Sequence, residues 1–181
     1  MSIDVQNTLG VQAGTWNIDP SHSEIGFTAR HLMSKVRGLF EKFEGQIVTG
    51  EQPIATATVD LNSINTRDEN RDAHLRSGDF FDVEKHPTIT FKSTRIERSG
   101  DEAKIHGNLT MRGVTRPVVI TGEFLGTQGA EFQRVGFEGD VTVNRKDWGV
   151  SWNAALDTGG VLVSEKVTLE FEVSAIRTDA T

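Results

Sequence analysis

From Glu24 onward, apolar and polar residues alternate with a period of two. Ile25, Phe27 and Ala29 share one parity against Glu24, Gly26, Thr28 and Arg30, which predicts a strand with a single apolar face. The pattern recurs in Phe43, Gly45 and Ile47, then in Ala55, Ala57, Val59 and Leu61, then in Ile89, Phe91 and Ser93. Further sets follow: Ile105, Gly107, Leu109 and Met111; Val118, Ile120, Gly122 and Phe124; Val135, Phe137, Gly139, Val141 and Val143. The last and clearest is Val161, Val163, Val167, Leu169, Phe171 and Val173. Together they predict an all-β chain of about eight antiparallel strands. Arg98–Asp101 and Gly126–Gly129 have the composition of hairpin turns. A one-sided sheet of that size hides its apolar face by closing into a barrel or folding into a sandwich, and periodicity does not choose between them.

Residues 65–78 break the alternation and predict a short helix over 66–78. Thr66 and Glu69 have capping-box spacing, and Gly78 is placed to stop it. With only Ala73 and Leu75 as apolar anchors, this helix belongs on the surface or across one end of the sheet. Phe80 and Phe81 follow directly, and two adjacent aromatics cannot both point inward from a regular strand. The connection from Asp147 to Gly160 carries Trp148 and Trp152 and is a second candidate lid or rim. Residues 1–13 read as a flexible leader, 14–176 as the folded domain and 177–181 as a tail. Glu165 falls on the apolar parity of the last strand. A buried lone carboxylate is costly, so either a bulge turns it outward, which is the default, or it pairs with Arg95 or Arg145.

Composition narrows the class. The chain has 181 residues, 18 glycines, no cysteine and a formal charge of −7, which suits one domain with many turns and excludes disulfide and thiolate chemistry. Without a Lys/Arg stripe, that charge argues against a nucleic-acid partner. The first residues lack a basic start and an apolar run, so a cytoplasmic location is the expectation.

Two motifs bring in a resemblance. His22-Ser23-Glu24-Ile25-Gly26-Phe27-Thr28-Ala29-Arg30-His31 reads H-S-x-I-x-F-x-x-R-H, and residues 79–91 read D-F-F-D-V-x-K-H-P-x-I-x-F. In that order they resemble the YceI-like family, over about Trp16 to Ile176. The resemblance implies a single lipocalin-like β-barrel that binds a polyisoprenoid lipid, such as an isoprenoid quinone or a polyprenyl phosphate, without catalysis. Members of that family are often homodimers, though nothing in this chain singles out an interface, and a carrier of this kind is expected to make transient membrane contact to exchange its cargo. The apolar parities supply the candidates for the lipid tail: Ile25, Phe27, Phe43, Ile89, Phe91, Leu109, Phe124, Phe137, Leu169 and Phe171. Candidates for the head or mouth are His31, Arg30, Arg71, Phe80, Phe81, Trp148 and Trp152.

Whether the inside is hollow stays open on residues alone. Inward Ala29, Gly45, Ala55, Ala57, Gly107, Gly122 and Gly139 either leave volume for a ligand or mark bulges that coil the sheet. No nucleophile elbow, phosphate loop, dinucleotide fingerprint or H-E-x-x-H is present. The cluster Asp79, Asp82, Glu84 and His86 matches no closed metal site. The expectation is therefore no catalytic residue, no metal and no cofactor other than the lipid itself. Two rivals remain: an enzyme of isoprenoid or quinone metabolism using the same pocket, and a stress-response scaffold with a filled core that binds a protein partner.

Overall fold

The computed structural model describes residues 9–128, 133–154 and 162–178, and over these the chain builds eleven strands and one α-helix. The strands are β1 (Gly14–Ile18), β2 (Glu24–His31), β3 (Ser34–Phe40), β4 (Phe43–Thr49), β5 (Ile54–Asp60), β6 (Ile64–Asn65), β7 (Thr88–Ser99), β8 (Glu102–Met111), β9 (Val114–Gln128), β10 (Arg134–Asn144) and β11 (Lys166–Arg177). Eight of them close a ring in the order β1-β4-β5-β7-β8-β9-β10-β11, with β11 pairing back onto β1. The predicted barrel of about eight strands is what the chain forms. Among the described residues no helix is long and apolar enough to cross a membrane.

β2, β3 and β6 extend this ring. β1 and β2 run along one edge of β11, Ile18 facing Ala175 and Glu24 facing Glu172. Between them the ladder is interrupted at Asp19-Pro20, where proline removes a donor and the Asp19 carboxylate receives Ser21 N at 3.0 Å and Ser21 Oγ at 2.6 Å. The same carboxylate takes His22 Nδ1 at 2.9 Å and Arg134 Nη1 at 3.1 Å. With Ser21 foremost among these donors, its pKa lies far below the usual carboxylate range. A depressed carboxyl adds stability above that range and loses it as pH falls from the range toward its own lowered pKa. The melting temperature of Asp19→Asn is expected to lie below that of the parent at neutral pH, with the gap closing below about pH 4. A gap that is constant with pH would remove Asp19 from this role.

Three strands carry no clear signal in the alternation. β1 and β6 are short, and in β3 the inward Val36, Gly38 and Phe40 alternate with Lys35, Arg37 and an exposed Leu39, which blurs the apolar face. The helix α1 spans Glu69–Arg76, shorter than the predicted 66–78. Its N-cap is Asp68, whose carboxylate accepts from Arg71 N at 3.0 Å, so the Thr66–Glu69 capping box does not form. Thr66 is instead held by the buried Asp72, which receives its N–H at 2.8 Å and its hydroxyl at 2.6 Å. The helix ends on Ser77 in extended backbone, not on Gly78. The turn predicted at 126–129 does not begin at Gly126. Gly126, Thr127 and Gln128 continue β9 opposite Gly136, Val135 and Arg134, and Gly129 lies outside the described residues. Glu165 precedes β11 and faces solvent, paired with Lys146 Nζ at 2.7 Å. It is outward as expected, but because it lies ahead of β11 and not through a bulge within the strand, and its carboxylate pairs with Lys146 and not with Arg95 or Arg145.

The glycines of the inner face answer the question of volume. A Cβ on Gly107 would run into the ring of Phe91, one on Gly38 into Phe27, and one on Gly139 into Phe137. Aromatic side chains lie over the missing side chains, so the space is filled by neighbours. Gly122 stands directly opposite Gly139, and a Cβ there would strike the Glu138 carbonyl. With register shifts at Ser93/Arg95 and Gly136/Phe137, these positions coil the sheet into closure.

Candidate functional site

The barrel interior carries two apolar cavities. One, of about 40 Å³, is bounded entirely by apolar side chains, among them Phe40, Val59, Ile89, Leu109 and Leu169. The other, of about 100 Å³, is bounded by Leu9, Ile96, Ile105, Phe124, Phe137 and their neighbours. Ile25, Ala57, Phe91, Ile120 and Phe171 belong to both walls, so the cavities are halves of one interior separated by a waist. Eight predicted tail residues (Ile25, Ile89, Phe91, Leu109, Phe124, Phe137, Leu169 and Phe171) line it. Phe27 and Phe43 do not line it. Phe27 packs on Phe40 with ring centroids 5.6 Å apart, and Phe43 packs on the edge of the core. Binding sites for drug-sized ligands commonly measure about 300–1,000 Å³. A prenyl chain therefore needs the waist to open.

Each end of the interior is closed differently. At one, Leu9 and Val11 are buried with Trp16, so the end of the predicted leader is part of the core. Trp16 Nε1 donates to Thr49 Oγ1 at 3.0 Å, and the Arg98 guanidinium lies 4.5 Å from the Phe124 ring while donating to the Leu9 carbonyl. This end is sealed by the hydrogen-bonded Trp16 and by Phe124 under the Arg98 cation.

The other end holds the predicted aromatic mouth. Trp148 is 2 % exposed and donates to the Leu109 carbonyl at 2.9 Å, which ties it to the wall of the smaller cavity. Phe80 is buried and Phe81 only partly so, in line with the rule that just one of them points inward. Phe80, Trp152 and His74 form a cluster, with centroids 5.3 Å apart for Phe80–Trp152 and 4.6 Å for His74–Trp152. Arg112 donates to the carbonyls of Gly78 and Phe80 and fixes the segment that carries the plug.

Two residues of this end are not legible as site residues in the sequence. His74 on α1 is wedged edge-on between Phe80 and Trp152, and its Nε2 meets Asp79 Oδ2 at 2.9 Å. Arg145 is buried, and its guanidinium donates to the carbonyls of Val150 at 2.7 Å, Ser164 at 2.8 Å and Val163 at 3.4 Å. Burial holds its pKa below the ordinary arginine value, with Glu165 partly opposing the shift. Its sequence signal is an arginine at the end of a strand, which does not distinguish a clamp from a surface charge.

The polar head candidates fall elsewhere. His31 and Arg71 face an open outer groove between β2, β3 and the start of α1, with Lys35, Arg37 and Arg67, and Glu24, Glu170 and Glu172 opposite. The Arg71 side chain is committed to Thr66, donating to its hydroxyl at 2.8 Å and its carbonyl at 2.7 Å. Arg30 is exposed on the outer face. The structure thus separates what the sequence groups as one mouth into an aromatic plug and a polar groove. In the turn between β1 and β2, Ser21 and His22 offer no relay, because Ser21 Oγ and Asp19 Oδ2 meet the same ring nitrogen of His22.

Comparison with known proteins follows the same outline. The family model of the YceI-like domain matches residues 16–175. A UPF0312 protein of Pseudomonas aeruginosa is 41% identical over 175 residues, covering 91% of this chain and 88% of its own length. Among solved structures, BcnA of Burkholderia cenocepacia aligns with a TM-score of 0.77 at 23% identity, over 87% of this chain and 98% of that one. A domain of Saccharophagus degradans, described as polyisoprenoid binding and implicated in plant cell wall breakdown, aligns with a TM-score of 0.71 at 15% identity, over 92% and 100% of the two chains. Those two likenesses speak to the fold.

Proposed function

We propose that this chain, which belongs to the YceI-like family, binds and carries the tail of a polyisoprenoid lipid inside its barrel without transforming it. The carrying observation is the interior itself: a closed barrel whose two cavities share a waist and are walled mainly by aliphatic and phenylalanine side chains. Such a wall selects hydrocarbon by area, about 0.8 kcal/mol for each buried CH₂. Micromolar affinity needs only about 8 kcal/mol, so a few isoprene units suffice even after the waist has opened. The polyisoprenoid-binding description of the Saccharophagus degradans domain supports the same ligand class.

The cavity size favours a second reading. At about 40 and 100 Å³ the interior is close to filled, which suits a barrel that serves a protein partner through its outer face. Organic extraction of the freshly purified protein, with mass spectrometry of the extract, separates the two. The carrier reading expects a prenyl lipid at near-stoichiometric yield. A blank extract from protein that also ignores an added isoprenoid quinone sinks it in favour of the filled barrel.

A further inference from the structure

The hairpin joining β2 to β3 combines three unfavourable features at one tip. Its two-residue turn is Leu32-Met33, closed by the pair His31–Ser34. Leu32 has a φ of 56°, a left-handed conformation that two-residue hairpins normally give to glycine or asparagine. The β8–β9 hairpin of the same barrel also places a side chain at that first position, Arg112, but follows it with Gly113, which takes a positive φ in turn. Leu32 is 54% exposed and Met33 95% exposed, so both apolar side chains stand in water. Directly behind them Arg30 faces Lys35 across the ladder, and Arg37 follows opposite Thr28. Like charges set directly opposite each other on adjacent strands are destabilising. None of these three cations makes an ion pair among the described residues, on a chain whose net charge is −7.

We infer that this tip is a docking element for an anionic lipid bilayer. Leu32 and Met33 enter the boundary between headgroups and acyl chains, while Arg30, Lys35 and Arg37 meet lipid phosphates. An apolar pair ahead of a cationic collar is the chemistry of interfacial anchors. The alternative of a protein partner fits less well, because a convex two-residue point presents far less than the roughly 1,200 Å² that a stable protein interface buries. The groups facing the collar are few: Glu170 on the neighbouring strand is engaged by the Thr28 hydroxyl at 2.9 Å, and Glu24 and Glu172 lie further along the groove.

Placement gives the tip its use. Leu32 N donates to the Leu162 carbonyl at 3.0 Å, and His31 bridges to Val163, whose carbonyl is held by Arg145 and Asn153. Docking therefore brings the bilayer against the chain segment that borders the aromatic plug. In its purpose, delivery and uptake of a prenyl lipid, the inference rests on the carrier reading; in its binding chemistry it does not.

Co-sedimentation with vesicles free of prenyl lipid tests it. The parent protein is expected to bind phosphatidylcholine vesicles containing phosphatidylglycerol on the order of a hundredfold more tightly than phosphatidylcholine alone, at roughly fivefold per cation. Arg30→Glu with Lys35→Glu is expected to abolish that preference, and high salt to weaken it. The double variant Leu32→Gly, Met33→Ser is expected to lose about tenfold or more in vesicle binding. Because glycine relieves the positive φ, its melting temperature should stay level or rise, which separates lost docking from lost folding. Absence of binding to anionic vesicles, or binding unchanged in the glycine–serine variant, overturns the inference. A blank lipid extract together with intact docking would instead overturn the carrier reading alone.

Discussion

Replacing Phe91 by alanine is expected to lower stability by about 3 kcal/mol while raising the response to a short-chain isoprenoid quinone. Phe91 stands in the wall of both cavities, with its ring laid over Gly107. Removing it takes out the packing of that glycine and joins the two cavities into one. For a chain of this length such a loss corresponds to a fall of about 6–12 °C in melting temperature. A ligand that binds only the folded state restores stability in proportion to its affinity. The enlarged interior should therefore show a larger thermal upshift with the quinone than the parent does. Ala57, the direct cross-strand partner of Phe91 at the same waist, supplies the converse. Ala57→Phe overfills the waist at a cost of about 1–3 kcal/mol and should lose the upshift altogether. Scanning calorimetry of the three proteins, with and without quinone, checks the ordering. Equal upshifts in all three would place the lipid somewhere other than the barrel interior.

Both effects depend on which side chains face inward. Alternation marks Ile25, Phe91, Leu109, Phe124 and Phe171 as inward because each sits in a strand with one wet face, and the fold keeps every one of them inside. Phe27 shares the parity and the strand of Ile25 yet leaves the cavity, because its cross-strand partner Gly38 lets the ring fold down onto β3, where it packs on Phe40. Periodicity reports which face of a strand is apolar; it does not report what each side chain on that face will lie against. The inward glycines illustrate the same limit. Whether Gly107 leaves a void depends on Phe91, which is diagonal to it across a ladder that pairing alone defines.

The aromatic end is less legible for a different reason. Trp148, Trp152 and Phe80 announce themselves as aromatics in connections, but what holds them is a set of side-chain to backbone bonds between segments distant in sequence. Arg112 reaches the carbonyls of Gly78 and Phe80, and Trp148 reaches that of Leu109. Backbone acceptors carry no residue signature, so such bonds are invisible before the chain is folded. Thr66 shows the reverse error. Its spacing to Glu69 suits a capping box, but Asp72 one turn further on offers a charged acceptor to both its N–H and its hydroxyl, and a charge-assisted pair is the stronger bond.

Arg145→Met is expected to have the second large effect, about 3 kcal/mol of lost stability, with a loosening confined to one end of the barrel. The guanidinium is buried, and it is the donor to Val150 O, Ser164 O and Val163 O. These carbonyls lie on the two arms of the excursion that leaves the barrel after β10 and returns before β11, so one planar fork ties both arms together. Methionine matches the stem in bulk and supplies no donor. Each buried carbonyl left unpaired costs about 1–3 kcal/mol, and the relief of burying a cation offsets part of the sum. Arg145→Lys keeps the charge but presents a compact ammonium in place of the fork, and it should recover less than half of the loss. Denaturant unfolding gives the magnitude. Amide exchange gives the location: Leu162 and Val163, whose N–H groups donate to Ala154 O and Asn153 Oδ1, should exchange faster, while β7 and β8 keep their protection. Should exchange accelerate evenly around the whole barrel, Arg145 is part of the global core and not a clamp on its aromatic end.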